Sequence, residues 1–176
     1  EKEACFLSEK LEDINIERRR IVDQIMKEIG EVITDDAVLC FGKSEWPVGV
    51  VGLIAGRLTE KYGKPSFIYG GAPGCYRGSC RGIRDFNVVE AMHACNNMEE
   101  ELFISFGGHA MAGGFALVPE KIPFLKKYLI AHGKKVLEKE VELPVLTIDA
   151  ELSALDINWD FYSILQKFEP YGQENK

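Results

Sequence analysis

The sequence predicts an α/β domain: a mixed β-sheet flanked by helices, preceded by a long helix. Three observations carry that expectation. Apolar residues recur at helical spacing through the first part of the chain. A strand, a helix and a second strand then follow within about 30 residues. Further short apolar runs, punctuated by glycine, continue the sheet.

Leu7, Leu11, Ile14, Ile21, Ile25 and Val32 step by three, four or seven residues, which predicts an amphipathic helix over 3–32. "AVLCFG" (37–42) reads as a buried strand. "PVGVVGLIAGRLTEKYG" (47–63) reads as a helix entered at Pro47 and closed at Gly63, with Pro65 beyond. "PSFIYGG" (65–71) is the next strand, parallel to the first. "CYRGSCRGI" (75–83) is a further strand, and Asn87 is placed to cap a helix over 88–97. "LFISF" (102–106) and "GGFALV" (113–118) are expected strands on either side of a glycine-rich stretch. Residues 120–137 read as an amphipathic helix, "VLTIDAEL" (145–152) as a last strand and "WDFYSILQKF" (159–168) as a short helix stopped by Pro170. Three parts are expected: 1–34 as the long helix, 35–142 as the α/β domain, and 143–176 as a C-terminal segment. The chain opens at Glu1 inside an apparent helix and is expected to be part of a longer protein.

The 176 residues are 46% hydrophobic, enough for one core. No run of about 18 apolar residues occurs, so no membrane-spanning helix is expected, and no signal-peptide pattern opens the chain. Cys5, Cys40, Cys75, Cys80 and Cys95 are odd in number and contain no CxxC pair, so thiols in a reducing cytoplasm are the simplest reading. His93, His109 and His132 lack metal-ligand spacing. The net charge of −7 argues against a generic nucleic-acid binder. The charge is uneven, however: residues 1–40 hold 11 acids and 6 bases, and residues 41–90 hold 7 bases and 4 acids. A local basic face can bind phosphates on an acidic protein; a solvated surface is the plainer reading of the same counts.

Two glycine-rich places stand out. In "RGSCR" (77–81), strand alternation puts Arg77, Ser79 and Arg81 on one face. Guanidinium forks make paired, charge-assisted bonds to phosphate, and Gly78 and Gly82 would admit a ligand to the backbone. An edge strand with its arginines in water explains the same residues. In "SFGGHAMAGG" (105–114), Gly107 and Gly108 bare the main chain beside His109, which could hydrogen-bond a phosphate or stabilise developing charge. A tight turn with a satisfied histidine is the simpler account of these residues alone. In "WPVGVVG" (46–52), Gly49 and Gly52 allow a helix to pack closely on a sheet, and Trp46 reads as a core or hinge aromatic. Nothing here supplies a nucleophile or the cluster of carboxylates and histidines that metal-assisted hydrolysis needs.

Together these stretches resemble a known family. "GGHAMAGGF" (107–115) is similar to the GGHxxAAGF signature of the DHH-associated domain of DHH-superfamily phosphoesterases. Within that superfamily the chain resembles the RecJ family of single-strand-specific exonucleases. "LEDINIERRRIVDQI" (11–25) is similar to the family's connector helix, with Asn15 and Arg18 in its N-x-x-R positions. "WPVGVVGLIAGRLTEKYGKP" (46–65) is similar to W-H-x-G-V-I-G-I-V-A, "RGSCRGIRDFNVVEA" (77–91) to its G-S-x-R-S block, and "FEPYGQEN" (168–175) to P-F-G-x-x-N. Pro47, Gly82 and Gly113 stand where the family usually has histidine, serine and alanine.

The resemblance implies a 5′→3′ exonuclease acting on single-stranded DNA in repair and recombination, with Mn²⁺ or Mg²⁺ held by a DHH domain that this sequence does not contain. The present chain would be its substrate-binding portion, inactive alone, with no metal of its own. Ser79 and Arg81 would hold the 5′-terminal phosphate, and His109, with Gly107 and Gly108, would meet a phosphate near the metals. Its partners would be the DHH domain and the 5′ end of single-stranded DNA, with no membrane. A nanoRNase or cyclic-dinucleotide phosphodiesterase shares the GGH signature and is the alternative within the superfamily. A non-catalytic nucleic-acid-binding module, of the kind appended to alanyl-tRNA synthetase, and a scaffold domain that binds nothing are the alternatives outside it.

Overall fold

The computed structural model describes residues 2–71, 74–137, 148 and 150–171. The chain divides into two compact units, Glu1–Val141 and Glu142–Lys176.

The first unit opens with α1 (Lys2–Gly30). Its apolar seam does two different things. Val22, Ile25 and Ile29 are buried, whereas Leu7, Leu11 and Ile14 lie exposed on the N-terminal half. Val32, expected to extend the seam, falls beyond the helix end and is exposed. Strand β1 (Leu39–Gly42), helix α2 (Val48–Tyr62) and strand β2 (Ser66–Gly70) form the expected parallel βαβ unit. Pro47 is the N-cap of α2. Gly63 ends it with φ 63°, donating its N–H to the Thr59 carbonyl at 2.9 Å, as a left-handed C-terminal glycine does.

β3 (Tyr76–Arg81) runs antiparallel to β2. Asn87 caps α3 (Val88–Met98) as its position predicts, its side chain accepting from the N–H groups of Val89 and Glu90. The hairpin β4 (Ser105–His109) and β5 (Ala112–Leu117) follows, then a 3₁₀ turn at Pro119–Lys121 and helix α4 (Ile122–Leu137). The five-stranded sheet has the order β1-β2-β3-β5-β4.

The strand expected at 102–106 is displaced. Leu102 and Phe103 are buried outside the ladder, and β4 runs instead from Ser105 through Gly107 and Gly108 to His109. Glycine is a poor strand former, but the pairing with β5 overrides that preference. Only Ala110 and Met111 are left to turn the chain. Their carbonyls accept from Val88 N–H at 2.9 Å and Gly82 N–H at 2.8 Å, which pins the hairpin tip to the start of α3.

The pleat divides the core in two. On one face Leu39 and Ile68 pack with α1 and α2, through Val22, Ile25, Ile29, Ile54 and Leu58. On the other, Phe67, Cys80 and Phe115 pack with α3 and α4, through Met92, Leu125 and Leu129. Phe67 and Phe115 touch at 6.0 Å between centroids. Burial pushes the thiols of Cys40, Cys80 and Cys95 up to about 12, so they stay protonated.

In the second unit, residues 148 and 150–152 are not strand, and the rest of the strand expected over 145–152 lies outside the described residues. Helix α5 (Trp159–Leu165) is capped by Asn158, which accepts from Phe161 N–H at 2.9 Å, and a 3₁₀ turn at Gln166–Phe168 follows. Among the described residues of this unit most apolar side chains are exposed, Leu155 and Trp159 most of all, and Phe161 is half-buried.

His132 on α4 meets Phe86 edge-on at 5.7 Å. Burial lowers its pKa below the ordinary histidine value and Lys135 adds to the shift, while Glu90 opposes it. The unfolded state therefore binds the proton more readily than the native state. Stability is intact above the unfolded value of about 6.5 and declines as pH falls through it. Melting curves between pH 7.5 and 5.5 should show this decline, and His132→Gln should make it shallower.

Candidate functional site: the uncovered half of the sheet

α2 packs mainly on β2 and β3, whereas Ser105, Gly107 and His109 of β4 and Gly114 of β5 are exposed. The outer half of that sheet face is therefore open. Directly paired residues of antiparallel strands share a face, so the register names what lies there. Arg81 pairs with Ala112, which pairs with His109. Ser79 pairs with Gly114, which pairs with Gly107. Arg77 pairs with Ala116, which pairs with Ser105. Three rows thus cross the three strands, each beginning with a polar side chain on β3. The middle of the rows is Ala112, Gly114 and Ala116, a floor with nothing larger than a methyl group.

The structure brings Arg77, Ser79, Arg81, Gly107 and His109 to one face. Gly78 and Gly108 fall on the other. A Cβ on Gly78 would run into the Phe115 ring, and one on Gly108 into the Ala112 carbonyl. These two glycines are accounted for by packing and strand approach. Gly108 also has φ 144°, a backbone state that side chains rarely adopt. Gly107 has nothing within 4 Å of an added Cβ and is exposed, so its main chain is open from the shelf side.

Arg81 is folded onto its own strand. Its guanidinium donates to the Cys80 carbonyl at 2.9 Å and to Ser79 Oγ at 3.3 Å, and Ser79 Oγ donates to the Gly113 carbonyl at 3.4 Å. Among the described residues neither Arg77 nor Arg81 forms an ion pair, whereas Arg57 is paired with Asp23 and Lys64 with Asp35. Two uncompensated cations beside a bare floor attract anions and leave room for them. Two strand spacings separate the Arg81 and His109 backbones by about 10 Å, so an extended ligand could touch both edges of the shelf.

At the Arg77 end the shelf deepens into a shallow cavity of about 590 Å³, where Val48, Ile104 and Ser105 join Arg77 and Ala116. Ala112 and Gly114 fall within the glycine-rich stretch marked in the sequence, whereas Ser105 and Ala116 were not singled out there as site residues. The available signal was alternation outward from the buried Phe115, which puts small residues at 112, 114 and 116 on the opposite face.

Among the described residues no three His, Cys, Asp or Glu side chains are grouped to hold a metal ion. No described helix is long and apolar enough to cross a membrane.

The DHHA1 domain model matches residues 31–132, which contain all three rows. The chain belongs to the DHHA1 domain family. Over 98% of its length it is 29% identical to the single-stranded-DNA-specific exonuclease RecJ of Bacillus subtilis, covering 22% of that protein. It is 26% identical to the RecJ of Thermus thermophilus over 98% of its length, covering 24% of that protein. The chain thus spans under a quarter of these RecJ relatives. The crystal structure of Thermus thermophilus RecJ in complex with Mn²⁺ superposes with a TM-score of 0.79 at 23% identity, over 94% of this chain and 24% of that one. A second, RecJ bound to manganese, gives 0.64 at 24% identity, over 75% of this chain and 33% of that one. The fold is that of the corresponding part of RecJ, as the resemblance in the sequence implied.

The packing account of Gly78 in this DHHA1 domain is open to a direct check. Gly78→Ala should cost about 1–3 kcal/mol through overpacking against Phe115, read as a lower urea midpoint with an unchanged slope. An unchanged midpoint would return Gly78 to the open shelf.

Proposed function

We propose that this chain is the substrate-binding portion of a RecJ-like 5′→3′ exonuclease and that single-stranded DNA lies across the uncovered half of its sheet. The observation that carries the reading is the register, which sets Arg81, Ser79 and His109 around a floor of glycine and alanine. In this account Ser79 and Arg81 receive the 5′-terminal phosphate, since a hydroxyl and a fork-shaped cation offer directed donors to its oxygens. Arg77 strengthens the field along the strand. His109 meets a phosphate at the opposite edge, where Gly107 lets the backbone approach. Residues 1–34 connect to a DHH domain, 35–142 bind the strand, and 143–176 lead toward an oligonucleotide-binding barrel.

Phosphodiester hydrolysis with Mn²⁺ or Mg²⁺ belongs to the DHH domain in this reading. The chain by itself therefore releases no nucleotides when Mn²⁺ is added. Metal-dependent release by a clean preparation would contradict that division of labour.

Fluorescence anisotropy with short 5′-phosphorylated and 5′-hydroxyl strands tests the site. Binding should weaken steeply with salt, as phosphate contacts do. Arg81→Ala should weaken the phosphorylated strand by about 1.5–3 kcal/mol, roughly 10- to 150-fold, and the hydroxyl strand much less. Equal losses would assign Arg81 to general electrostatics. A preference for di- or cyclic nucleotides over longer strands would favour a nanoRNase or cyclic-dinucleotide phosphodiesterase.

A further inference from the structure

Helix α2 carries three glycines in its first three turns, Gly49, Gly52 and Gly56. Glycine inside a helix is destabilising, because it has the most conformational freedom to lose. The three positions differ in what the missing side chain leaves room for. A Cβ at Gly49 or Gly56 would meet nothing within 4 Å. A Cβ at Gly52 would lie 3.3 Å from Ser79 Oγ, 3.7 Å from Ser79 Cβ and 3.9 Å from an Arg81 guanidinium nitrogen. At that one point, the helix approaches the two β3 side chains that begin adjacent rows of the shelf.

Those two side chains form a small relay. Arg81 donates to Ser79 Oγ and to the Cys80 carbonyl, and Ser79 donates onward to the Gly113 carbonyl on β5. The hydroxyl must keep one orientation to accept from the arginine and donate to β5 at once. The first distance, 3.3 Å, is tight for a carbon against the hydroxyl oxygen, so a methyl there would displace Ser79 Oγ by a few tenths of an ångström. That is enough to matter, because the hydroxyl's two bonds are already long at 3.3 and 3.4 Å.

We propose that Gly52 is a positioning residue for the Ser79–Arg81 pair. Its missing side chain lets α2 pass close over β3 while the hydroxyl keeps both bonds and the guanidinium stays folded along the strand. Arg81 is thereby held at one place on the shelf before any ligand arrives, which spares the ordering cost of a long side chain on binding. Gly52 acts through Ser79 and Arg81 and touches no ligand itself. The inference rests on reading this face as a phosphate site, but it concerns geometry that exists without a ligand.

Two readouts on the 176-residue chain separate the inference from that reading. The first needs no nucleic acid: the NMR signals of the Arg81 side-chain N–H groups, compared in wild type, Gly52→Ala and Gly56→Ala. The second is the preference for a 5′-phosphorylated over a 5′-hydroxyl strand. Gly56→Ala should raise the melting temperature, by about 2–4 °C if the helix gain is fully realised. Gly56→Ala should leave the Arg81 signals and the phosphate preference as in wild type. Gly52→Ala should shift the Arg81 signals and reduce the preference by about three- to tenfold, the scale of one ordinary hydrogen bond. If Gly52→Ala does not fold, Ser79→Ala replaces it in the same comparison: removing the hydroxyl should shift the Arg81 signals, and unchanged signals would overturn the proposal. Arg81 signals identical in the Gly52 and Gly56 variants would overturn the proposal. A wild-type chain with no phosphate preference would overturn the proposed function, and the Arg81 signals alone would then decide the role of Gly52.

Discussion

One register governs the molecule: Ser79 opposite Gly114 opposite Gly107. It fixes which side chains of three strands share a face, because a slip of one residue would send every side chain to the other side. In the observed register the large groups of β3 and β5, Cys80, Phe115 and Leu117, enter the core beneath α3 and α4. The small ones, Ala112, Gly114 and Ala116, are left facing out. The same pairing that closes the core therefore opens the shelf, and neither can be changed without the other.

The glycines illustrate the two-sidedness. On the core side Gly78 makes room for Phe115, and Gly108 lets β4 approach β5. On the shelf side Gly107 and Gly114 leave the backbone exposed. A glycine-rich sheet sacrifices strand propensity at each position. Here the loss is offset by an aromatic cluster of Phe67, Phe86, Phe103, Phe106 and Phe115 packed on the covered side. The hairpin tip is further tied by the N–H groups of Gly82 and Val88. His109 thus stands at the end of a supported strand.

Much of the fold was legible in the sequence where punctuation and periodicity agreed. Pro47 and Gly63 bracket α2 because each has a backbone geometry suited to its end of a helix, and Asn87 starts α3 because its side chain serves two otherwise unpaired N–H groups. β4 was misplaced because "LFISF" has the composition of a strand, yet its first two residues are consumed by the core and the glycines take the ladder. Alternation along Arg77, Ser79 and Arg81 was readable from one strand alone. The floor was not, since small residues leave no periodic signal and their face is set by a partner strand distant in sequence. Gly78 shows the same limit: its reason is Phe115, 37 positions away.

The proposed seat of a single strand is the α2 side of β3, β5 and β4. Backbone amide shifts recorded while a short 5′-phosphorylated strand is titrated into the chain test it most directly. Changes should concentrate at Ser79, Arg81, Gly107, His109 and Gly114, with α3 and α4 silent. Changes centred on α3 and α4, or on the exposed half of α1 alone, would contradict it.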